Sequence, residues 1–314
     1  MKRLLAVALS IALLAWLASN GHWRALADSF VHLPVSVLAL AGLGFAASYL
    51  LRALRVFDEF RSDARGRFVA CLRIVLIHNA MVNVVPFRGG EAAFPLLLRQ
   101  TFGTPVARAV ASLFWFRLQD ALVVGIVAAA VWPGVPLALR AAGALGLIVF
   151  ALALPRWARA RHDWAERGAF AARLGKLRDA FAASTRHARF GWLWTVANWS
   201  VKLASQSLLL AAVLGASLGT GAAGALGAEL AAILPIQGVA GFGTSEAGAA
   251  AALLPAGIDF EVGLRAALAL HLFVIGCALA AGALAALLIA APRATTASGS
   301  PPPSNESSST APHS

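Results

Sequence analysis

Along this chain, hydrophobic and polar positions separate into long blocks instead of alternating on the faces of short elements. Apolar blocks run over residues 34–51, 68–85, 89–98, 106–132, 137–154, 191–218, 222–234, 244–254 and 262–291, with an earlier one over 4–18. An α-helix needs about 20 apolar residues to cross the hydrocarbon core, and the longer blocks approach or exceed that length. Soluble helices carry a polar face that would interrupt such runs every turn. The pattern predicts an all-α integral membrane protein. Block 4–18 follows Lys2 and Arg3, the arrangement of a first span with a cytoplasmic N-terminus. Ala25-Leu26-Ala27 imitates a signal-peptide cleavage site, so removal of residues 1–27 is the alternative. Either reading puts residue 28 outside.

Charge then orders the blocks. Residues 52–67 hold Arg52, Arg55, Arg61, Arg65 and Arg67, and residues 155–190 hold a longer basic series from Arg156 to Arg189. By the positive-inside rule both face the cytoplasm, whereas 133–136 and 255–260, without Lys or Arg, suit the outside. An even number of crossings must therefore separate the two basic segments. Blocks 68–85, 106–132 and 137–154 as three spans would break that parity. A re-entrant hairpin over 68–102 restores it, with its tip at Val84–Gly90 around Pro86 and Arg99 at its cytoplasmic end. The same logic makes 222–254 a hairpin entering from outside, with its tip at Pro235–Gly243. Irregular backbone at membrane depth is tolerated where it is buried in protein or lines a wet cavity.

Two halves of like pattern and opposite orientation result, about 34–132 and about 191–291. Each hairpin tip contains Pro and Gly and is followed by a glutamate, Glu91 or Glu246, and then by an arginine on the next span. Pro86 lies 31 residues before Arg117, and Pro235 lies 30 before Arg265. Paired interrupted segments are the sequence mark of an inverted-repeat transporter. The expected architecture is about six full spans plus two oppositely oriented re-entrant hairpins. In segment 155–190, Phe170, Leu174, Leu177 and Phe181 are spaced for one helical face, with Arg173, Lys176 and Arg178 off it. An interfacial helix fits this spacing, with Trp157 and Trp164 at headgroup level, and a solvated basic loop is the alternative. The Ser-, Thr- and Pro-rich tail at 292–314 is expected to be a disordered cytoplasmic extension.

Composition agrees with the block pattern. Of 314 residues, 60% are hydrophobic and 13% charged, with mean hydropathy +0.76; a soluble domain carries about a quarter charged residues. The net charge of +12 does not point to nucleic acid, because the basic residues sit between apolar blocks, where topology and anionic headgroups account for them. Cys71 and Cys277 lie in apolar segments with no metal-ligand spacing and read as packing residues.

Ionisable side chains at membrane depth cost at least about 2.5–3.5 kcal/mol and usually face a partner or a cavity. The candidates are Arg88, Glu91, Arg117, Asp120, Lys202, Glu229, Glu246, Arg265 and His271, with His78, Asn79 and Asn83 on the approach to the first tip. The densest constellation runs from Asn83 through Pro86, Arg88 and Gly90 to Glu91. Glycines there expose N–H groups to an anion, and Arg88 adds donors matched to phosphate; alternatively Arg88 and Glu91 neutralise each other. Arg117 and Asp120, three apart, suit an ion pair that holds the hairpin against the next span, with phosphate contact by Arg117 as the rival role. Gly241, Gly243 and Glu246 begin a helix, with Thr244 or Ser245 as its cap. Glu229 could pair with Lys202, and His271 reads as a packing residue. No metal cluster, nucleophile motif or phosphate loop is evident, so neither a catalytic centre nor a cofactor is expected.

Asn83-x-x-Pro86-x-Arg88-x-Gly90-Glu91, Arg117-x-x-Asp120, and Pro235 followed by Gly241-x-Gly243-x-x-Glu246 resemble the lysylphosphatidylglycerol synthase transmembrane-region family, also called flippase-like membrane proteins. Arg52-x-x-Arg55 is similar to an arginine pair common there, and the likeness covers roughly residues 4 to 291. Ala240 stands where the family often has a second glycine beside Gly241. In multidomain members this membrane part is linked to lipid translocation, and a soluble domain transfers an amino acid to phosphatidylglycerol. The resemblance implies the flippase-like half alone for this chain.

The function these observations predict is binding or translocation of a phospholipid or polyprenyl-phosphate lipid at a mid-membrane site in the cell inner (cytoplasmic) membrane, with both termini cytoplasmic. The substrate-binding residues expected are Asn83, Arg88, Gly90, Glu91, Arg117, Asp120, Gly241, Gly243 and Glu246. The alternative is a membrane-embedded enzyme, or an accessory subunit for a soluble lipid-modifying enzyme, in glycolipid or polyprenyl-phosphate metabolism.

Overall fold

The computed structural model describes residues 30–85, 89–131, 134–160, 168–233 and 241–290. Block 4–18, the cleavage-like Ala25-Leu26-Ala27, Trp164 and the tail at 292–314 lie outside the described residues. All regular structure among the described residues is helical. Helix α1 spans Val35–Glu59 and is followed by the short α2, Arg61–Ala64. Helix α3, Phe68–Val84, leads through a 3-10 turn at Gly89–Ala92 into α4, Ala93–Phe102. Helices α5, Val106–Val131, and α6, Leu137–Arg159, come next, then α7, Ala169–His187. The second half holds α8, Gly191–Leu214, α9, Leu218–Ile233, α10, Thr244–Leu253, and α11, Phe260–Ala290.

Helix ends follow local chemistry. Val85, next before Pro86, is extended (φ −84°, ψ 119°) and stops α3, because a following proline disfavours the helical region. Gly103 and Gly215 close α4 and α8 in the left-handed conformation that glycine adopts without penalty. Helix α1 runs further than its apolar block. Arg52 to Glu59 contains no breaker, and arginine is a good helix former, so Arg52 and Arg55 belong to α1 and not to a basic loop. The topology signal of that segment therefore rests on Arg61, Arg65 and Arg67.

Four helices, α1, α5, α6 and α11, are long and apolar enough to cross a membrane, and α8 with α9, bent by 117°, makes up to five. Helix α6 shows why the bundle needs a lipid solvent. Its apolar window is only 6% buried, and Leu137, Leu139, Leu145 and Val149 are exposed on it. The central pair is α1 against α8, where Ser48 Oγ donates to Asn198 Oδ1 at 2.7 Å. Helix α3 packs on α1 and α11, and α9 packs on α8, α10 and α5. Gly227 and Gly248 bring α9 and α10 so close that a Cβ on either would strike the other's carbonyl oxygen; small residues of this kind drive helix association in lipid. Helix α7 docks on α5, with the Phe181 ring against Phe114 and Trp115 at centroid distances of 5.9 and 5.4 Å. The expected helix in the basic segment is thus present; the side chains of Phe170, Leu174 and Leu177 lie outside the described ones.

Candidate functional site

Helices α1, α3, α5, α8 and α9 enclose a connected set of charged and amide side chains. Glu91, in the turn after α3, accepts from Arg117 Nη2 of α5 at 2.6 Å and lies 3.3 Å from His78 Nε2 of α3. Gly90 makes this approach possible, because a Cβ there would collide with the Met81 carbonyl in the last turn of α3. Its role is close packing of the turn. Asn83 Nδ2 donates to the Asn79 carbonyl one turn back at 2.7 Å, so that amide closes its own helix. Pro86, Phe87 and Arg88 lie outside the described residues, which leaves the expected Arg88 contact undescribed.

Asp120 is held from three helices. Its Oδ1 accepts from Arg55 Nη1 at 2.7 Å and from Trp199 Nε1 at 3.0 Å, while Arg117 Nη1 stands 3.9 Å from Oδ2. Arg55 Nη2 also donates to the Phe116 carbonyl and Gln119 Oε1, each at 2.8 Å. The tie between the turn after α3 and helix α5 is therefore Arg117 to Glu91, and the main partner of Asp120 is Arg55. A charge buried to this degree persists only when paired and hydrogen-bonded.

Beside this group stand two pairs of matching geometry. Arg52 Nη1 on α1 donates to Asn79 Oδ1 on α3 at 2.7 Å, and Lys202 Nζ on α8 meets Glu229 Oε1 on α9 at 2.6 Å. Gln206 Nε2 donates to the same Glu229 oxygen at 2.7 Å. Arg52 and Lys202 are 150 positions apart, as are Asn79 and Glu229. Arg52 interacts electrostatically with His78, Asp120, Lys202 and Glu229, so both pairs belong to one neighbourhood. Among the described residues Arg52 makes no ion pair. Sequence reasoning placed Arg52 and Arg55 in a loop and gave neither a site role; the shared spacing of 27 between cation and partner in each half is the signal that could have found Arg52.

Glu246 lies in a different setting. Its side chain is 0% exposed, against 24% for Glu91. Gly243, with φ +88°, is the N-cap of α10 and donates its N–H to Glu246 Oε2 at 2.8 Å. The other oxygen meets His271 Nδ1 of α11 at 2.5 Å. Thr244 Oγ1 donates back to the Gly241 carbonyl, so neither Thr244 nor Ser245 caps the helix. Gly241, also at φ +88°, leaves its Cα side toward His271. Arg265, the arginine matched to Arg117 by spacing, sits one turn into α11 at 3.5 Å from Glu261. Pro235 and Ala240 lie outside the described residues. No described contact joins Glu246 or His271 to the Glu91–Arg117–Asp120 group, and no cluster of described His, Cys, Asp or Glu has metal-binding geometry.

Neither a curated protein nor a solved structure matches the chain. The family model described as the lysylphosphatidylglycerol synthase TM region matches residues 3–291, which include the whole of the helical bundle just described, and the chain belongs to that family.

Proposed function

We propose that this protein binds a phosphate-bearing lipid at the polar site between α1, α3, α5 and α8 and passes its headgroup across the membrane while the tails stay in the bilayer. The observation that carries this reading is a surplus of cation. Among the described residues Arg55, Arg117 and Lys202 are hydrogen-bonded or ion-paired to three carboxylates, Glu91, Asp120 and Glu229, and Arg52 is met by a neutral amide. A permanent charge inside an apolar bundle is expensive unless something neutralises it, and a phosphodiester anion has the required charge and acceptor geometry. Arg117 is 40% exposed at its side chain, which leaves it within reach of a ligand.

Two features support an inverted repeat with re-entrant hairpins. The arms α3 and α4 have 17 and 10 residues, and α9 and α10 have 16 and 10; at 1.5 Å per residue the short arms reach about half of the hydrocarbon thickness. The two basic segments also meet at one end of the bundle. Asp58 Oδ2 accepts from the Phe190 N–H at 2.7 Å, and His187 Nδ1 lies 3.5 Å from Glu59. An even number of crossings between them follows if α5 and α6 cross and α3–α4 returns. On this reading the chain resides in the cytoplasmic membrane with that end inside.

The test is transbilayer movement of fluorescent phosphatidylglycerol in proteoliposomes, read by an impermeant quencher. The wild type is expected to accelerate movement, and Arg52→Gln and Glu91→Gln to fall to the rate of empty vesicles while remaining folded. Wild-type movement in both variants would overturn the reading.

A further inference from the structure

A concavity lies away from the polar site, at the end of the bundle where the basic segments meet. It is a cavity of about 420 Å³ between α2 with its following turn and the loop joining α4 to α5. Small-molecule sites generally fall between about 300 and 1,000 Å³. Three arginines line it: Arg65 and Arg67 from the turn and Arg108 from α5.

Its single carboxylate is fully occupied. Asp63 accepts from Arg108 Nη1 at 2.9 and 3.0 Å, from Thr104 Oγ1 at 2.7 Å and from Ser62 Oγ at 2.9 Å. Burial works against its charge, yet the hydrogen bonds from Thr104, Ser62 and Arg108 hold its carboxyl below the usual range. Asp63 is therefore ionised at neutral pH and neutralises Arg108, leaving Arg65 and Arg67 with no carboxylate partner among the described residues. Arg67 is also preordered. Its Nε donates to the Ala64 carbonyl at 3.3 Å, and its guanidinium lies 4.8 Å from the Phe102 ring centroid, which leaves the two terminal nitrogens for a ligand. Arg65 takes a left-handed backbone (φ 45°), the only non-glycine residue to do so among the described ones; such a conformation costs of order 1–3 kcal/mol and clusters at ligand clamps. The positive-inside rule asks for basic residues near membrane ends. It does not ask them to converge on one concavity with the local acid already neutralised.

We propose that this cavity binds a phosphomonoester dianion, held by Arg65 and Arg67 with the Ser62 and Thr101 hydroxyls beside it. Two guanidinium groups match the two charges, and paired forks suit the three terminal oxygens. The ester arrives either as a soluble metabolite or as the headgroup of a lipid. Because the cavity lies between the turn after α2 and the C-terminal end of α4, a bound ester ties α4 to that turn. This site is independent of the polar site within the membrane, so either can fail alone.

Thermal unfolding of the full chain tests it, in uncharged detergent with glycerol 3-phosphate at constant ionic strength, and in phosphatidylcholine nanodiscs with or without phosphatidic acid. A saturable rise in Tm is expected. It should shift to at least about tenfold higher ligand in the Arg65→Gln, Arg67→Gln double variant and persist in Glu91→Gln. A response to glycerol 3-phosphate assigns the site to soluble esters, and a response to phosphatidic acid alone assigns it to a lipid headgroup. No response to either probe, or equal responses in wild type and double variant, overturns the proposal. Should the double variant not fold, Arg65→Gln alone, at an exposed position, is held to the same criterion.

Discussion

The two halves of this protein place a glutamate shortly after α3 and α9 and a cation on α1 and α8, yet they use them differently. In the first half, Glu91 is partly exposed and meets the permanent charge of Arg117, and Arg52 faces the neutral Asn79. In the second half, Glu246 is sealed, with one oxygen on the N-cap of its own helix and the other on His271, and Lys202 faces the charged Glu229. In the second half the cation on the central helix meets a carboxylate, and in the first it meets a neutral amide. The difference teaches that a shared motif fixes where a side chain stands, while its partner decides whether it is structural or left open for a ligand. On the proposed reading, the first half holds the headgroup and the second half holds the shape.

The most severe way to break the comparison is at Asp120, which joins the halves through Arg55 and Trp199. Asp120→Ala strands the Arg55 guanidinium in the bundle, and removal of one partner of a buried pair costs about 3–5 kcal/mol. The expected result is a large fall in Tm in detergent and poor recovery of folded protein. A Tm within a few degrees of wild type would show that the neutral acceptors Phe116 and Gln119 suffice to hold Arg55.

The glutamates themselves give the next largest contrast. Glu246→Ala leaves the Gly243 N–H and His271 without their acceptor, at about 1–3 kcal/mol per buried unsatisfied group. Glu91→Ala should cost less, about 1 kcal/mol, because the partly exposed Arg117 regains other polar contacts and only the longer 3.3 Å contact to His78 is lost from a buried group, but it should abolish lipid movement. Equal losses of Tm in the two variants would erase the distinction between the tips. A charge exchange sharpens it further. Asn79→Glu gives Arg52 the partner that Lys202 already has, so phosphatidylglycerol binding should weaken by about tenfold, near 1.4 kcal/mol, with Tm unchanged or raised.

The helical class, the approximate bounds of most helices and both interrupted segments were legible in the sequence because lipid demands long apolar runs and because Pro86 and the tip glycines act locally. The Lys202–Glu229 pair was legible too, as opposite charges in adjacent apolar segments. Three-dimensional partners were not. Arg52 and Arg55 resembled loop charges, since an apolar-block criterion ends where arginines begin, although the helix continues through Glu59. The cap of α10 was misplaced onto Thr244 or Ser245 for a related reason: hydroxyls are frequent caps, but here a glycine N–H satisfied by Glu246 does that work. The cavity around Asp63 joins residues more than 40 positions apart, and no local pattern announces it.

The smallest expected effect concerns the residue that spacing singled out most clearly. Arg265 stands 30 residues after Pro235, as Arg117 stands 31 after Pro86, so numerical alignment makes them counterparts. Contact makes His271 the counterpart instead, since it meets Glu246 as Arg117 meets Glu91. Arg265 is paired with Glu261, four positions earlier on the same helix and half exposed, and such pairs contribute about 0.3–0.5 kcal/mol. Arg265→Ala should therefore shift Tm by a degree or two at most and leave lipid movement at the wild-type rate. His271→Ala should destabilise by more, because it leaves a Glu246 oxygen unpaired in a sealed site. If Arg265→Ala instead abolished movement, the second half would carry a working cation of its own, and the division of labour between the halves would have to be abandoned.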